Sequence, residues 1–453
     1  MTPDTLISLN NFADITGVSR ATVDKWIGNG RCRTYSRENG KIVLRASDLI
    51  SFPEIYKMLN SAWDKELDTK PKHEFTSIEL FAGGGGLALG MHKAGFRHLL
   101  LNEFDKDACT TLKANMPQWN VIHGDIHNLD FTSYLGKVDF FSGGFPCQAF
   151  SYAGKRLGFE ETRGTLFFEL ARAVKEVQPK IFMAENVKGL LEHDNGRTLQ
   201  TIKNVVEELG YTLLEPKVLR AVLYNVPQKR ERLILIAIRN DLAHLAEFHW
   251  PSVCGELRTL RDAFHAGTLY DTDVPESEGQ KYPKSKEDVM RLIPEGGDWR
   301  SLPQEVAKAY MKGSYNLGGG KTGMARRLSM DEASLTLTCA PAQKQTERCH
   351  PTETRPLTVR EYARIQTFPD SWDFHGSLSA KYKQIGNAVQ VNLAWAIGRA
   401  IVRLLNDIYD ARPDIFLSDD KKKTLDMNIP VNRLHGLFGG MVCEDAEEYK
   451  SSK

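Results

Sequence analysis

Short apolar runs alternate with amphipathic stretches along residues 75–238. The runs at 76–81, 97–101, 119–122, 137–141, 179–184, 219–223 and 233–238 are rich in Ile, Leu, Val and Phe and predict strands. Residues 87–94, 165–177 and 199–209 have helical periodicity, and Gly95 is a C-cap for the first of them. Strands alternating with helices predict an α/β fold.

The pattern before residue 75 is different. Residues 11–16 predict a short helix, which Gly17-Val18 breaks. Ser19 then caps a second helix over 20–27, with Val23, Trp26 and Ile27 on one face. A strand at 41–44 and a helix start at 47–50 complete a helix-turn-helix pattern over residues 1–55. This stretch resembles the small winged modules of excisionase-like and MerR-like DNA binders. Arg20, Thr22 and Lys25 would lie on the outward face of the second helix, where such a module meets the major groove. The alternative is a helical hairpin packed on the main body with solvated charges. Residues 56–74 are polar, end in Lys70-Pro71-Lys72, and read as a linker.

With 453 residues, the chain exceeds one ordinary domain. Its net charge of +1 neither supports nor excludes nucleic acid. Seven scattered cysteines without a Cys-x-x-Cys pair indicate neither a metal site nor a disulfide framework, and suit a reducing cytoplasm. No run of eighteen apolar residues suggests a membrane span, and the first residues do not resemble a signal peptide.

Candidate chemistry gathers at the strand ends. The first strand runs into Phe81-Ala82-Gly83-Gly84-Gly85-Gly86, a loop whose glycines let backbone approach a ligand. Glu103, about twenty residues after Gly83, ends the second strand, where an acid grips ribose hydroxyls in such folds. Gly124-Asp125-Ile126 ends the third. Together they predict an adenosine-containing ligand across the strand ends. The next strand leads into Gly143-Gly144-Phe145-Pro146-Cys147-Gln148-Ala149-Phe150-Ser151, a stiff turn that aims the Cys147 thiol. Taken alone, Cys147 reads better as a buried structural cysteine, and it is the blocks that follow along the chain that favour a reactive thiol. Glu185-Asn186-Val187 and the basic cluster Gln228-Lys229-Arg230-Glu231-Arg232 would face the same rim.

In these blocks the chain resembles bacterial DNA cytosine-5 methyltransferases. Phe81 to Gly86, Asn102 to Asp105, Gly144 to Ser151, Glu185-Asn186-Val187, Gln228 to Arg232 and Gly386-Asn387-Ala388-Val389 follow the family's order and distances. Residues 355–369 match its late structural motif, and the likeness covers about residues 75–405. Glu79 stands where many members have Asp, and Ala388 where many have Ser. The resemblance implies a Rossmann-like S-adenosylmethionine-dependent methyltransferase domain built from 75–240 and 355–406, with a smaller target-recognition domain at 241–354 and a tail at 407–453.

Its chemistry is implied residue by residue. Cys147 would be the nucleophile at carbon 6 of cytosine; with an ordinary thiol pKa near 8.5, only roughly 3% is thiolate at neutral pH. Glu185 would bind ring nitrogen 3 and the amino group, Arg232 the carbonyl oxygen, and Arg230 would support the loop. Phe81, Gly83 and Gly85 would contact the amino-acid end of S-adenosylmethionine, Glu103 its ribose, and Phe104, Asp125 and Ile126 its adenine. Asn387 and Val389 would close the pocket, and S-adenosylhomocysteine would leave. No metal is implied. Gln148 and Ser151 would meet double-stranded DNA. So would Lys321, Arg326 and Arg327 in a basic Gly-rich loop, and residues 343–348 would read base edges. The recognition region resembles those of enzymes acting on palindromes with a CCGG core.

Other readings stay open at this point. An RNA cytosine methyltransferase uses the same blocks. A transcription regulator acting through residues 1–55, with its own promoter as partner, is a second. A dehydrogenase fits least, because the Gly loop departs from Gly-x-Gly-x-x-Gly. A cytoplasmic monomer, with or without a partner restriction endonuclease, is the expected state.

Overall fold

The computed structural model describes residues 1–36, 40–145, 166–316 and 323–416. Its N-terminal part contains β1 (Leu6–Ser8), α1 (Leu9–Thr16), α2 (Arg20–Gly28), β2 (Tyr35–Ser36), β3 (Ile42–Arg45), α3 (Pro53–Leu59) and α4 (Trp63–Leu67). The turn between α1 and α2 follows from sequence: Gly17 takes the left-handed conformation (φ 73°), and the Ser19 side chain accepts from the Thr22 N–H. Strands β1, β3 and β2 form a small antiparallel sheet.

The body follows with β4 (Thr76–Leu80), α5 (Gly86–Ala94), β5 (Arg97–Glu103), α6 (Lys106–Asn115), β6 (Val121–His123), β7 (Phe140–Gly143), α7 (Leu166–Val177), β8 (Ile181–Asn186), α8 (Arg197–Glu208), β9 (Tyr211–Leu213), β10 (Lys217–Arg220), β11 (Gln228–Lys229) and β12 (Glu231–Arg239). The main sheet has the order β10-β12-β8-β7-β4-β5-β6, with β9 also paired to β12. Strands β8, β7, β4, β5 and β6 are parallel, and β12 is antiparallel to β8. The chain moves from β4 out to β6, then returns to β7 on the other side of β4. In open α/β sheets, ligands bind where strand order reverses in this way.

Strand β12 shows why its sequence is apolar throughout. Ile234, Ile236 and Ile238 pack into the cluster on one face, and Leu233, Leu235 and Ala237 into the cluster on the other. Both faces are covered, so alternation gives way to a continuous apolar run.

Beyond β12 come α9 (Leu260–Phe264), α10 (Lys284–Arg291), α11 (Gln304–Met311), β13 (Ser334–Leu335), α12 (Val359–Ile365), α13 (Leu378–Asn387) and α14 (Val391–Ala411). Helix α14 packs along α5. A Cβ on Gly90 would collide with Ala394, and one on Gly398 would lie 2.7 Å from the Ala94 Cβ, so small residues let the two axes approach. A window within Leu378–Ala411 is apolar enough to cross a membrane, yet 83% of it is buried inside the protein.

Three expectations need correction. Residues 56–74 are not a bare linker: α3 and α4 occupy much of the stretch, and Met58 and Trp63 are buried in the same cluster as β12 and α14. The Trp63 and Trp395 rings sandwich the guanidinium of Arg399, at 4.5 and 4.2 Å. Residues 1–55 do not stand apart either, because Phe12, Val23, Phe52 and Ile55 belong to that cluster too. The region 241–354 carries α9, α10, α11 and β13. Leu260 and Phe264 join the core beside α12 and α13, while Met290, Ile293, Leu302, Ala307, Ala325 and Cys349 form a small core of their own. Helix α14 also runs past residue 407, and Phe416 packs on Phe75 and Tyr409.

Candidate active site

A cleft of about 780 Å³ opens at the carboxyl ends of β4, β5, β6, β7 and β8. Phe81, Gly83, Glu103, Phe104, Asp125, Ile126, Glu185, Arg230, Arg232, Asn387 and Val389 all line it.

One half is built by the first three strands. Phe81 leaves β4 with φ 59°, a left-handed conformation that costs a non-glycine residue on the order of 1–3 kcal/mol. Gly83 follows at φ 54°, and its N–H donates to Glu103 Oε2 at 2.7 Å. The other Glu103 oxygen accepts from the backbone N–H groups of Phe104 (2.9 Å) and Asp105 (2.7 Å). Three backbone donors thus fix this carboxylate at the end of β5. Phe104 beside it is 73% exposed, a bare ring on a cleft wall. Asn102 ties β5 to β6 by donating to the carbonyls of Ile122 (3.2 Å) and Gly124 (3.0 Å). Asp125 accepts from the His127 ring at 2.6 Å, which holds its carboxyl below the usual range. Gly85 is not among the lining residues. At φ 89° it caps α5, and a Cβ there would meet Leu112 and Trp372.

The other half comes from β7, β8 and β12. Parallel strands deliver their ends to the rim, so β8 presents Glu185 there. Strand β12 runs the opposite way and presents its beginning, with Ile234 opposite Glu185. Arg232 Nε consequently meets Glu185 Oε1 at 2.5 Å, and the two side chains are only 9% and 13% exposed. A Cβ on Gly144 would lie 3.0 Å from Glu185 Oε2, so a glycine there leaves room for the carboxylate. Asn186 donates to the Phe145 carbonyl at 2.9 Å and pins the residue before Pro146. Arg230 is buried and donates to the Leu337 carbonyl at 3.0 Å; burial, then the neighbouring Arg232, lower its pKa to about 9. Glu79 is fully buried below the loop, and that burial pushes its carboxyl well above the ordinary range.

The C-terminal block forms one wall of the cleft. Asn387 and Val389 line it, and a Cβ on Gly86 would collide with the Val389 carbonyl. Lys383 and Gln384 also line it and were not anticipated. Lys383 pairs with Asp105 at 2.8 Å, bridging α13 to the start of α6. The only sequence signal was its position three residues before Gly386-Asn387.

Cys147, Gln148, Ser151 and Lys321 lie outside the described residues. Arg20 and Lys25 are exposed on α2, with Arg20 held by Asp24 (3.0 Å) and Asn10 (2.9 Å). Arg327 does not face solvent and is no candidate for a phosphate contact. It is 4% exposed, and its guanidinium donates to the carbonyls of Ile293, Met290, His350 and Glu353 at 2.7–3.0 Å. These acceptors make it the tie of the small domain. Arg326 is 16% exposed and lies 3.5 Å from Asp298. Of residues 343–348, Gln343, Lys344 and Gln345 are exposed, whereas Glu347 and Arg348 are buried, so these last two cannot read base edges.

Residues 75–403 match the family described as C-5 cytosine-specific DNA methylase. The chain is 59% identical over 402 residues to the Type II methyltransferase M.Eco47II of Escherichia coli, covering 88% of this chain and 96% of that one. It is 45% identical over 375 residues to the Type II methyltransferase M.Sau96I of Staphylococcus aureus, covering 81% and 85%. Among solved structures, a prophage-encoded DNA modification methyltransferase from E. coli superposes with TM-score 0.53 at 25% identity, over 74% of this chain and all of that one.

Proposed function

The chain belongs to the C-5 cytosine-specific DNA methylase family, and on that footing we propose that it methylates carbon 5 of a flipped-out cytosine in double-stranded DNA, through a Cys147 adduct at carbon 6. The observation that carries this reading is the meeting of Glu185 and Arg232 in the cleft that Phe104, Glu103 and Asp125 also line.

The cleft suits S-adenosylmethionine. Phe104 offers a free aromatic face for adenine, Glu103 and Asp125 offer carboxylates for ribose hydroxyls and the adenine amino group, and the loop at Phe81 and Gly83 offers backbone to the amino-acid end. When bound, it supplies an electrophilic methyl group on a sulfonium. Asn387 and Val389 would wall it in from the C-terminal side.

The chain's own residues carry the other steps. The Cys147 thiolate adds to carbon 6, and the ring electrons this releases make carbon 5 nucleophilic. Glu185 binds ring nitrogen 3 and the exocyclic amine, and offsets the charge that develops there. Arg232 holds Glu185 in place and takes the carbonyl oxygen. Because Glu185 largely balances Arg232, Arg230 is the surplus cation that favours the thiolate. After carbon 5 is alkylated, a base such as water takes its proton, the C–H electron pair re-forms the C5–C6 double bond, and the Cys147 sulfur leaves with the electrons of the C6–S bond. Extruding the base costs on the order of a few kcal/mol, which DNA contacts from Gln148, Ser151 and the recognition region offset.

The Type II relatives support a role in protecting DNA against a partner endonuclease in a bacterial cytoplasm. Bisulfite sequencing of DNA from cells expressing the chain tests the reading. Methylated cytosines within one short motif, absent with Cys147→Ala, are expected, and the motif itself checks the CCGG expectation. No methylation from folded wild-type protein refutes the assignment.

A further inference from the structure

The arginine strand alternates sides. Gln228, Arg230 and Arg232 are buried, while Lys229 and Glu231 between them are only partly so. Lys229 is gripped from two directions. Asp14 of α1 approaches its Nζ at 2.9 Å and Glu332 at 3.3 Å, with the Asp14 side chain 10% exposed. Asn10, also on α1, donates to the other Glu332 oxygen at 2.6 Å. Glu332 lies two residues before β13, which pairs with β11 through Gln228 opposite Ser334 and Lys229 opposite Leu335. The same small sheet holds the site from below. Thr336 donates to the Lys229 carbonyl at 2.7 Å, Leu337 N–H donates to Gln228 Oε1 at 3.1 Å, and the Leu337 carbonyl receives Arg230. A second tie runs from Glu54 of α3 to Arg220 at the end of β10, at 2.9 Å.

We propose that Asp14, acting through Lys229, is a positioning residue for the reaction: the N-terminal module sets where Arg230 and Arg232 stand in the cleft. This rests on the function proposed above. Asp14 is an expensive way merely to fasten two surfaces, since its Oδ2 is buried without a hydrogen-bond partner. A buried ion pair as a whole is commonly matched or bettered in stability by an apolar pair of similar volume, so fastening alone does not call for one. What an apolar replacement cannot do is hold the Lys229 ammonium, and with it the register of Arg230 and Arg232.

The test uses the full-length chain and compares wild type with D14N, D14L and K229R. Single-turnover methylation of a duplex carrying the motif is measured together with S-adenosylmethionine affinity and thermal unfolding. The expected result is a rate reduced on the order of tenfold in D14N and D14L, as for a misplacement well below 1 Å. The unfolding temperature of D14N stays near that of wild type, because Lys229 keeps Glu332 at 3.3 Å, S-adenosylmethionine affinity is unaltered, and K229R retains most of the rate. Wild-type rates in D14N and D14L overturn the proposal, as do losses that merely track a lowered unfolding temperature. A wild-type chain that methylates nothing refutes the proposed function instead, so the two failures are distinguishable.

Discussion

Replacing Glu185 with Gln isolates one charge in the cleft. The amide keeps the shape of the carboxylate, and its oxygen can still accept from Arg232 Nε, which now reaches Glu185 Oε1 at 2.5 Å. Arg232 also retains its bond to the Glu231 carbonyl at 2.8 Å. The fold should therefore lose little, about 1 kcal/mol, the difference between a charged and a neutral hydrogen bond. Glu185→Ala is the contrast: it strands a guanidinium that is only 9% exposed, and removing one partner of a buried pair costs about 3–5 kcal/mol. Catalysis should respond differently. The carboxylate is assigned to a ring that gains charge in the transition state, and deleting such a group costs about 10²–10³ in kcat, roughly 2.7–4 kcal/mol. Single-turnover methylation, S-adenosylmethionine titration calorimetry and thermal unfolding on both variants separate these effects. Glu185→Gln should be stable, bind S-adenosylmethionine normally and turn over at least a hundred times more slowly. A rate within about threefold of wild type would show that the negative charge has no part in the chemistry.

Phe104→Ala removes a ring that is 73% exposed, so the unfolding temperature should not move, while S-adenosylmethionine affinity falls about 10- to 100-fold by calorimetry, the worth of one base–aromatic stack. Arg327→Ala should weaken DNA binding only by unfolding the small domain; its signature is a lowered melting temperature, with an unchanged salt slope of DNA binding in whatever protein stays folded. Asp14 gives a pH signature. Burial raises its pKa from 3.8 to about 6, against the lowering pull of Lys229 and Arg326 and with Glu332 adding to the rise. The native state then binds the proton more tightly than the unfolded chain. This contribution is full below about pH 4 and is lost as pH rises through 6. The stability of wild type minus that of D14N, from urea unfolding, should therefore decline by up to about 3 kcal/mol between pH 4 and 7 and be flat above.

Strands β4 to β8 were legible because each is an apolar run leading into Gly or an acid, features that local sequence settles, whereas the short β9 was missed and the expected run 219–223 is a strand only as far as Arg220. The helix break at Gly17 and the cap at Ser19 were legible for the same reason. The Arg327 reading failed because a basic, Gly-rich string looks alike whether its cations face water or a ring of carbonyls. What decides is the set of acceptors at Met290, Ile293, His350 and Glu353, up to 37 residues away along the chain. The linker reading failed similarly. Residues 56–74 are polar on average, but Met58 and Trp63 are single apolar anchors whose partners lie on α14 and around Cys254. Averaged polarity hides two anchors, and no local pattern signals that Trp63 will close over Arg399.

The candidate site depended on a point of topology that sequence blocks do not state. Glu185 and Arg232 are 47 positions apart, and each block alone reads as a surface carboxylate or a basic turn. They meet because one parallel strand ends where its antiparallel neighbour begins. A fully parallel sheet would carry Arg232 to the opposite edge, away from the rim. The reversal at β12 has a second consequence. It leaves the far side of the arginine strand, at Lys229, facing away from the cleft and open to whatever packs there. In this chain that partner is α1, contributing Asp14. The turn at β12 thus both completes the cleft and hands one of its walls to the N-terminal module.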